Sequence, residues 1–181
     1  MRRRWLLAIL APALAHADGE QAVSVEAGYA TFSTVGKKVG SMAPPALSPD
    51  WGLNLAVVYE REVSSDLYLR AEGAGAYFEG GTQAKMKQTD TSYAGVADLG
   101  VVFRFDVLRD VPYAFGAVGG VLSGGGPIDR GSDFVVVIGG GLDWLQSRKR
   151  SYGFEAKLAS FGGNITVFTV NLRATSLWGF F

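Results

Sequence analysis

The chain has 181 residues with seventeen basic and seventeen acidic side chains, so its formal net charge is zero and it lacks the basic excess that nucleic-acid binding requires. It contains no cysteine, which excludes disulfides, thiolate chemistry and a lipid anchor on cysteine. Its 25 glycines are about twice the average usage and lie inside apolar runs, which indicates segments with little room for side chains.

The first seventeen residues have the pattern of a secretory signal. Three arginines precede an apolar run over residues 5–14, and Ala15, His16 and Ala17 form a small-x-small cleavage site. The apolar run is too short to span a membrane as a helix. We therefore predict a signal peptide over residues 1–17 and one mature domain over residues 18–181.

Eight segments of the mature chain alternate between apolar residues and small or polar residues, which is the period of a β-strand. No stretch of this part has eighteen consecutive apolar residues, so no membrane-spanning helix is predicted. The last segment is about three times as long as a usual globular strand, and a tilted strand that crosses a bilayer needs about 9–11 residues. The eight predicted strands are residues 22–32, 51–62, 67–78, 91–105, 112–122, 133–145, 152–161 and 165–181.

The predicted connections alternate between long loops and short turns, an asymmetry typical of barrels with long outer loops and short periplasmic turns. An even number of strands also places both chain ends on one side of the membrane. The predicted fold is therefore all-β, an eight-stranded antiparallel up-and-down transmembrane β-barrel. The long loops are residues 33–50, 79–90 and 123–132, the short turns are 63–66, 106–111 and 146–151, and residues 162–164 form a hairpin.

The charged residues inside the predicted strands lie in one phase, opposite the large apolar residues. Predicted strands three, four and seven each carry two charges, and both charges of each strand fall on the same face, which fixes the phase of that strand. Arg61, at a strand end, is the one charge on the apolar face. Arg or Lys facing lipid near the membrane midplane would cost about 2–4 kcal/mol, whereas the interior of an eight-stranded barrel is filled by side chains. The predicted interior ion network is Glu26, Glu60, Arg70, Glu72, Asp98, Arg104, Asp143, Glu155, Lys157 and Arg173.

Aromatic residues of the predicted strands fall at two levels, near the long loops and near the short turns. Amphipathic rings favour the two membrane interfaces, so these levels predict two girdles. Strand five carries no charge to set its phase, and we assign Tyr113, Phe115, Ala117 and Val121 to its lipid face. The predicted girdle residues are Trp51, Tyr59, Tyr77, Tyr93, Tyr113, Trp144, Tyr152, Trp178 and Phe180.

The predicted interior has two halves with different chemistry. In the periplasmic half, the ion network either fills the barrel and fixes the register of its strands, or forms a polar plug that opens to a narrow ion pathway. The outer half is small and apolar, and is either packed shut or leaves a pocket that admits an acyl chain or another apolar ligand. Four lysines in the outer loops are either ordinary solvated charges or contacts for lipopolysaccharide. They are Lys37, Lys38, Lys85 and Lys87.

The sequence contains no pattern of residues that indicates an enzyme. The only histidine is His16, which belongs to the predicted signal, so the mature chain has no histidine base for a catalytic triad and no histidine metal ligand. The glycine runs have neither the spacing of a phosphate-binding loop nor a following helix. We predict no catalytic residue, no metal and no cofactor.

The long amphipathic last strand and its terminal Phe181 resemble the assembly signal of bacterial outer-membrane β-barrels. From residue 22 to the end, the chain resembles the OmpA/OmpX-like superfamily of small outer-membrane barrels in architecture and pattern. One departure is Gly179, because family members commonly have an aromatic residue two positions before the terminal Phe.

The resemblance implies a location in the outer membrane, contact with its lipids, and insertion by the barrel-assembly machinery through the last strand. We predict a structural or surface-interaction role with a largely sealed interior. The alternatives are an OmpW-like conduit or binder for small hydrophobic molecules and, more distantly, a lipid-modifying enzyme. The partner of the surface loops is not predicted.

Overall fold

The computed structural model describes residues 19–34, 47–83, 86–88, 91–105 and 109–179. The predicted signal peptide, Phe180 and three of the four loop lysines lie outside these residues. The strands are β1 (Gln21–Thr34), β2 (Trp51–Ser64), β3 (Leu67–Glu79), β4 (Gly81–Gln83), β5 (Met86–Gln88), β6 (Ser92–Arg104), β7 (Asp110–Gly124), β8 (Gly131–Ser147), β9 (Arg150–Phe161) and β10 (Ile165–Trp178), with a 3₁₀ helix at Gly126–Ile128.

Eight long strands form one closed antiparallel barrel, which confirms the predicted fold class. Around the barrel the order is β1, β10, β9, β8, β7, β6, β3 and β2, so each strand pairs with its neighbour in the chain except across the β4–β5 hairpin. The barrel closes between β1 and β10, where Gln21 pairs with Trp178 and Thr34 pairs with Ile165. Closure leaves no barrel edge with unpaired backbone groups, which is what a bilayer requires. None of the helices among the described residues has the length and apolarity to cross a membrane.

The two ends of the barrel differ in their connections. At one end, the short-turn end, β2 joins β3 and β8 joins β9 through two-residue turns. The opposite end, the long-loop end, carries the connections after β1, β3 and β7. The prediction of a long loop over residues 79–90 did not include secondary structure, and β4 pairs with β5 in a small hairpin there. Strands of three residues are too short to show a period, so sequence alternation could not reveal them.

Side chains alternate between the interior and the outer surface along every long strand. In β2, Leu53, Leu55 and Val57 are exposed, whereas Asn54 and Ala56 between them are buried. The exposed face is therefore the apolar one. A continuous belt of exposed apolar side chains is not stable against water but fits a hydrocarbon layer.

The predicted phase of β7 is wrong. Tyr113, Phe115, Ala117 and Val121 are buried in the interior, and Ala114, Gly116, Val118 and Gly120 face outward. The reason lies on the neighbouring strand. A Cβ at Gly139 would lie 2.6 Å from Cζ of Phe115, and one at Gly141 would lie 2.5 Å from the Tyr113 hydroxyl. Glycines on β8 therefore provide the space that two large rings need inside a narrow barrel.

We expect Gly28→Ala to lower the free energy of unfolding by about 1–3 kcal/mol, the usual cost of overpacking. Gly28 faces the interior, and a Cβ there would lie 2.6 Å from Cα of Asn171 and overlap the Val170 carbonyl oxygen. Gly73→Ala is the matched control, because nothing lies within 4 Å of its Cβ position. Urea unfolding in lipid vesicles compares the two variants, and equal midpoints would contradict this account of Gly28.

Candidate functional site

The barrel interior contains all ten charged residues assigned to the ion network. Each side chain points inward and is buried. They come from β1, β2, β3, β6, β8, β9 and β10, because each lies in the inward phase of its strand. Nine of the ten form one continuous cluster of ion pairs, whereas Asp98 stands apart from it.

Arg70 is the centre of the cluster. Its Nη1 donates to Glu155 Oε2 at 2.9 Å and to Glu60 Oε1 at 3.3 Å. Its Nη2 donates to Glu72 Oε2 at 2.6 Å and to Glu155 Oε1 at 2.7 Å. The guanidinium therefore holds Glu155 with two parallel hydrogen bonds, the strongest arrangement for this pair of groups.

Arg173 forms a second centre on β10. Its guanidinium lies 2.9 Å from Glu60 Oε1, 3.3 Å from Glu155 Oε2 and 3.8 Å from Asp143 Oδ2. Its Nε also donates to the Ser24 hydroxyl at 3.0 Å. Glu60 and Glu155 are thus shared between Arg70 and Arg173, which joins the two centres.

Two further cations extend the cluster along the barrel. Arg104, the last residue of β6, pairs with Glu60 and lies 3.6 Å from Glu20 near the short-turn end. Lys157 pairs with Glu72, and its ammonium lies 3.5 Å from Glu26 Oε2. Every cation in the cluster therefore meets at least two carboxylates, as buried charges require for stability.

Aromatic rings of the interior cover three of the cations. The guanidinium carbon of Arg70 lies 3.9 Å from the ring centre of Phe115, and that of Arg173 lies 4.9 Å from Tyr113. The Tyr113 hydroxyl also donates to Glu155 Oε2 at 3.0 Å. Tyr113 is therefore part of the ion network and not of the girdle to which the sequence assigned it.

Tyr68, Asn54 and Asn171 are further interior residues that the sequence analysis did not single out. Arg104 lies over the Tyr68 ring at 4.4 Å. The Asn54 amide donates to Asn171 Oδ1 at 3.1 Å, and the Asn171 amide donates to Glu26 at 3.3 Å. The signal for all three was available, because each has the same phase in its strand as a network residue.

The other girdle assignments are on the outer surface. The described members other than Tyr113 have exposed rings. Trp51 and Tyr77 pack together at the long-loop end with ring centres 5.9 Å apart. Tyr59, Trp144, Tyr152 and Trp178 lie toward the short-turn end.

A cavity lies on the long-loop side of the ion network. Its volume is about 30 Å³, enough for about two water molecules. Asp98, Glu72, Lys157, Asn54 and Thr169 supply the polar part of its lining. The apolar part is Ala74, Ala76, Ala94, Val96, Val137, Ala159, Phe161 and Val167.

Large apolar side chains fill the barrel at its long-loop end. Phe32 and Phe78 meet edge to face with ring centres 5.0 Å apart, and Ile128 and Ile165 are fully buried in the same cluster. The cavity therefore lies between this apolar packing and the ion network. Among the residues that the structure describes, no group of three or more metal-ligating side chains is placed to hold a metal ion.

No protein-family model and no curated protein sequence matches the chain. Among solved structures, Neisserial surface protein A is similar with a TM-score of 0.60 and 11% identity, over 86% of this chain and 96% of that chain. A major outer membrane protein of Thermus thermophilus is similar with a TM-score of 0.59 and 14% identity, over 90% and 100% of the two chains. Ail of Yersinia pestis, solved with the heparin analogue sucrose octasulfate, has a TM-score of 0.55 and 18% identity, over 88% and 99%.

Proposed function

We propose, from the premise that this chain has the fold of the small outer-membrane β-barrels, that it is an outer-membrane protein with a structural or surface-interaction role and a largely sealed interior. The observation that carries this proposal is the ion network across the barrel. Four cations and five carboxylates form one connected cluster whose members come from seven strands around the wall.

The network supports a seal because an ion could pass only by separating buried ion pairs. Breaking a buried pair by removing one partner costs about 3–5 kcal/mol, since the other charge is left uncompensated. Arg70 and Arg173 each meet several carboxylates, so opening a path beside them would break several contacts together. A cluster of this kind is suited to fixing the register between strands and to blocking the passage of ions through the barrel.

The outer surface supports the proposed location. Exposed apolar side chains lie between the two levels of exposed aromatic rings, as contact with outer-membrane lipids would require. We include export through the predicted signal peptide, insertion by the barrel-assembly machinery through β10, and contact with lipopolysaccharide in this proposal.

The proposed role is not enzymatic. Five of the six interior acids have a cation within 4.0 Å, so these carboxylates are engaged in ion pairs inside the barrel. The function would then depend on the outer surface and the connections at the long-loop end.

Electrical recordings in planar bilayers test the seal. We expect the reconstituted wild-type protein to show no steady single-channel steps, because the ion network blocks the path between the two ends. An open porin reconstituted in the same way is the control for insertion and detection. Regular conductance steps from the wild-type protein would contradict the proposal and favour a conduit.

The cavity favours a second candidate function, the binding of a small hydrophobic molecule. Its walls are mostly Ala and Val, and small apolar side chains leave room that a ligand can fill. This function does not need an open path through the barrel. Binding of xenon, a small uncharged apolar probe, to the cavity tests it.

A further inference from the structure

A groove on the outer surface lies at the short-turn end, where β7 begins, β8 ends and β9 begins. Its volume is about 370 Å³, within the range of about 300–1,000 Å³ that small-molecule sites have. Trp144 of β8 pairs with Tyr152 of β9, and the exposed rings of both residues line the groove. We call it the short-turn groove, and its lining is Arg109, Asp110, Trp144, Leu145, Gln146 and Tyr152.

Two arginines flank the short-turn groove. Arg109 lines it from the β7 side, where the Arg109 carbonyl oxygen accepts a hydrogen bond from the Leu145 amide at 2.9 Å. Arg150 lies on the β9 side, two residues before Tyr152 and on the same outward face. Neither guanidinium has a hydrogen-bond or ion-pair partner among the residues that the structure describes. Both side chains are therefore available to an external anion.

The turn next to this groove adds two further cations. Arg148 and Lys149 are both exposed between β8 and β9. Asp110 is the exposed acid among the described residues of the three strand ends, so four cations and one acid leave a local formal charge of +3. The turn on the opposite side of the barrel, between β2 and β3, carries Glu62 and Asp66 beside one arginine. The positive charge is thus confined to one side of the short-turn end.

A second groove lies on the outer surface of β8, β9 and β10, nearer to the middle of the barrel wall. Its volume is also about 370 Å³. It forms where Ala156 of β9 pairs with Gly140 of β8, two small residues on the outward face. Leu158 in this groove is six residues beyond Tyr152, which is roughly 20 Å along the strand. We call it the mid-strand groove, and its lining is Ile138, Gly139, Ala156, Lys157, Leu158 and Phe168.

The two grooves correspond to the two parts of a phospholipid. Exposed tryptophan and tyrosine rings favour the level of the lipid headgroups, which places the short-turn groove at that level. With the usual strand tilt of about 35–45°, roughly 20 Å along β9 is a depth of roughly 15 Å, or half of a hydrocarbon core of about 30 Å. Outward-facing Phe154 joins the two grooves, and its ring centre lies 5.7 Å from that of Trp144. The pair of grooves therefore extends through one leaflet.

We propose that this face of the barrel, from the short-turn groove to the mid-strand groove, binds one anionic phospholipid of the surrounding leaflet. Arg109 and Arg150 meet its phosphate group, and one acyl chain lies in the mid-strand groove against Ala156 and Leu158. The inference rests on the proposed contact of the barrel with membrane lipids, but it does not depend on the seal or on the interior cavity.

The local charge selects against a zwitterionic lipid. Phosphatidylcholine carries the same phosphate group, but its quaternary ammonium would lie against a surface of net positive charge. An anionic lipid has no such group, and hydrogen bonds between a guanidinium and a phosphate are charge-assisted. Each basic residue near an anionic headgroup adds to the attraction. Asp110 lowers this attraction by one charge and leaves the sum positive.

Native mass spectrometry of the purified protein, released from micelles of an uncharged detergent, tests the inference. The probes are phosphatidylglycerol and phosphatidylcholine with identical acyl chains, added in equal amounts, so that only the headgroup differs. We expect the wild-type protein to retain one lipid molecule, with phosphatidylglycerol in about tenfold or greater excess over phosphatidylcholine, because the two arginines meet an uncompensated negative charge.

Arg109→Gln and Arg150→Gln are each expected to reduce this preference about fivefold, since each removes one cation at the headgroup level. Arg130→Gln is the matched control, because it makes the same change at an exposed arginine of the long-loop end and should behave as wild type. The comparison of the two lipids on the wild-type protein needs no variant, so a folding defect in a variant would leave the inference open to disproof.

Equal retention of the two lipids by the wild-type protein, or retention of neither, would overturn the inference. An unchanged preference in Arg109→Gln or Arg150→Gln would overturn it as well. An equal loss of preference in Arg130→Gln would assign the preference to total charge and not to this face. Contact with lipid in general is tested separately by Leu172→Arg, so failure of the inference and failure of the proposed membrane location are distinguishable.

Discussion

Replacement of Arg70 by alanine is expected to lower the free energy of unfolding by about 3–5 kcal/mol, the range for removing one partner from a buried ion pair. Arg70 makes four hydrogen bonds to Glu60, Glu72 and Glu155, and its guanidinium stacks on the Phe115 ring. The alanine variant leaves these carboxylates in a buried site with fewer cations. Urea unfolding in lipid vesicles, followed by tryptophan fluorescence, measures the change.

Two other arginine variants separate this effect from a general loss of charge. Arg70→Lys keeps the charge but not the planar fork, so it should be destabilising to a smaller extent than Arg70→Ala. Arg130→Ala removes an exposed arginine that donates to Asn164 at 2.9 Å, and it should change stability by no more than about 0.5 kcal/mol. If Arg70→Ala and Arg130→Ala had the same midpoint, the ion network would not stabilise the barrel.

Leu172→Arg should destabilise the folded barrel in a bilayer by about 2–4 kcal/mol, the cost of an arginine facing lipid near the membrane midplane. Leu172 lies near the middle of β10, and its side chain is 76% exposed on the outer surface. Lipid offers the new guanidinium neither water nor a hydrogen-bond partner at this depth. The same vesicle unfolding assay provides the measurement.

Val63→Arg is the matched control for position. Val63 is exposed at the short-turn end of β2, where an arginine reaches the membrane interface and should cost about 0–1 kcal/mol. The difference between the two arginine variants therefore reports depth in the membrane. An unchanged stability of Leu172→Arg would mean that water, not lipid, surrounds the barrel.

The aromatic girdle and the ion network show which features of the barrel can be predicted from the sequence and which cannot. Arg70 with Glu72 and Glu155 with Lys157 are pairs of charges two residues apart, and each pair sets the phase of its whole strand. Their side chains are indeed buried inside the barrel. By contrast, β7 carries no charge between Pro112 and Leu122, so no charge sets its phase, and the predicted phase is inverted for Tyr113, Phe115, Ala117 and Val121.

The sequence by itself determined the number of barrel strands, their antiparallel order and the face of most of them, because alternation is local and a charge facing lipid has a large cost. The tertiary structure alone decided which carboxylates meet Arg70, why glycines on β8 accommodate Tyr113 and Phe115, and that Asp98 lies in a cavity apart from the ion pairs. These features depend on the register between strands and on the volume left inside a closed barrel. Both quantities arise from contacts between distant parts of the chain, and a periodic pattern within one strand contains neither of them.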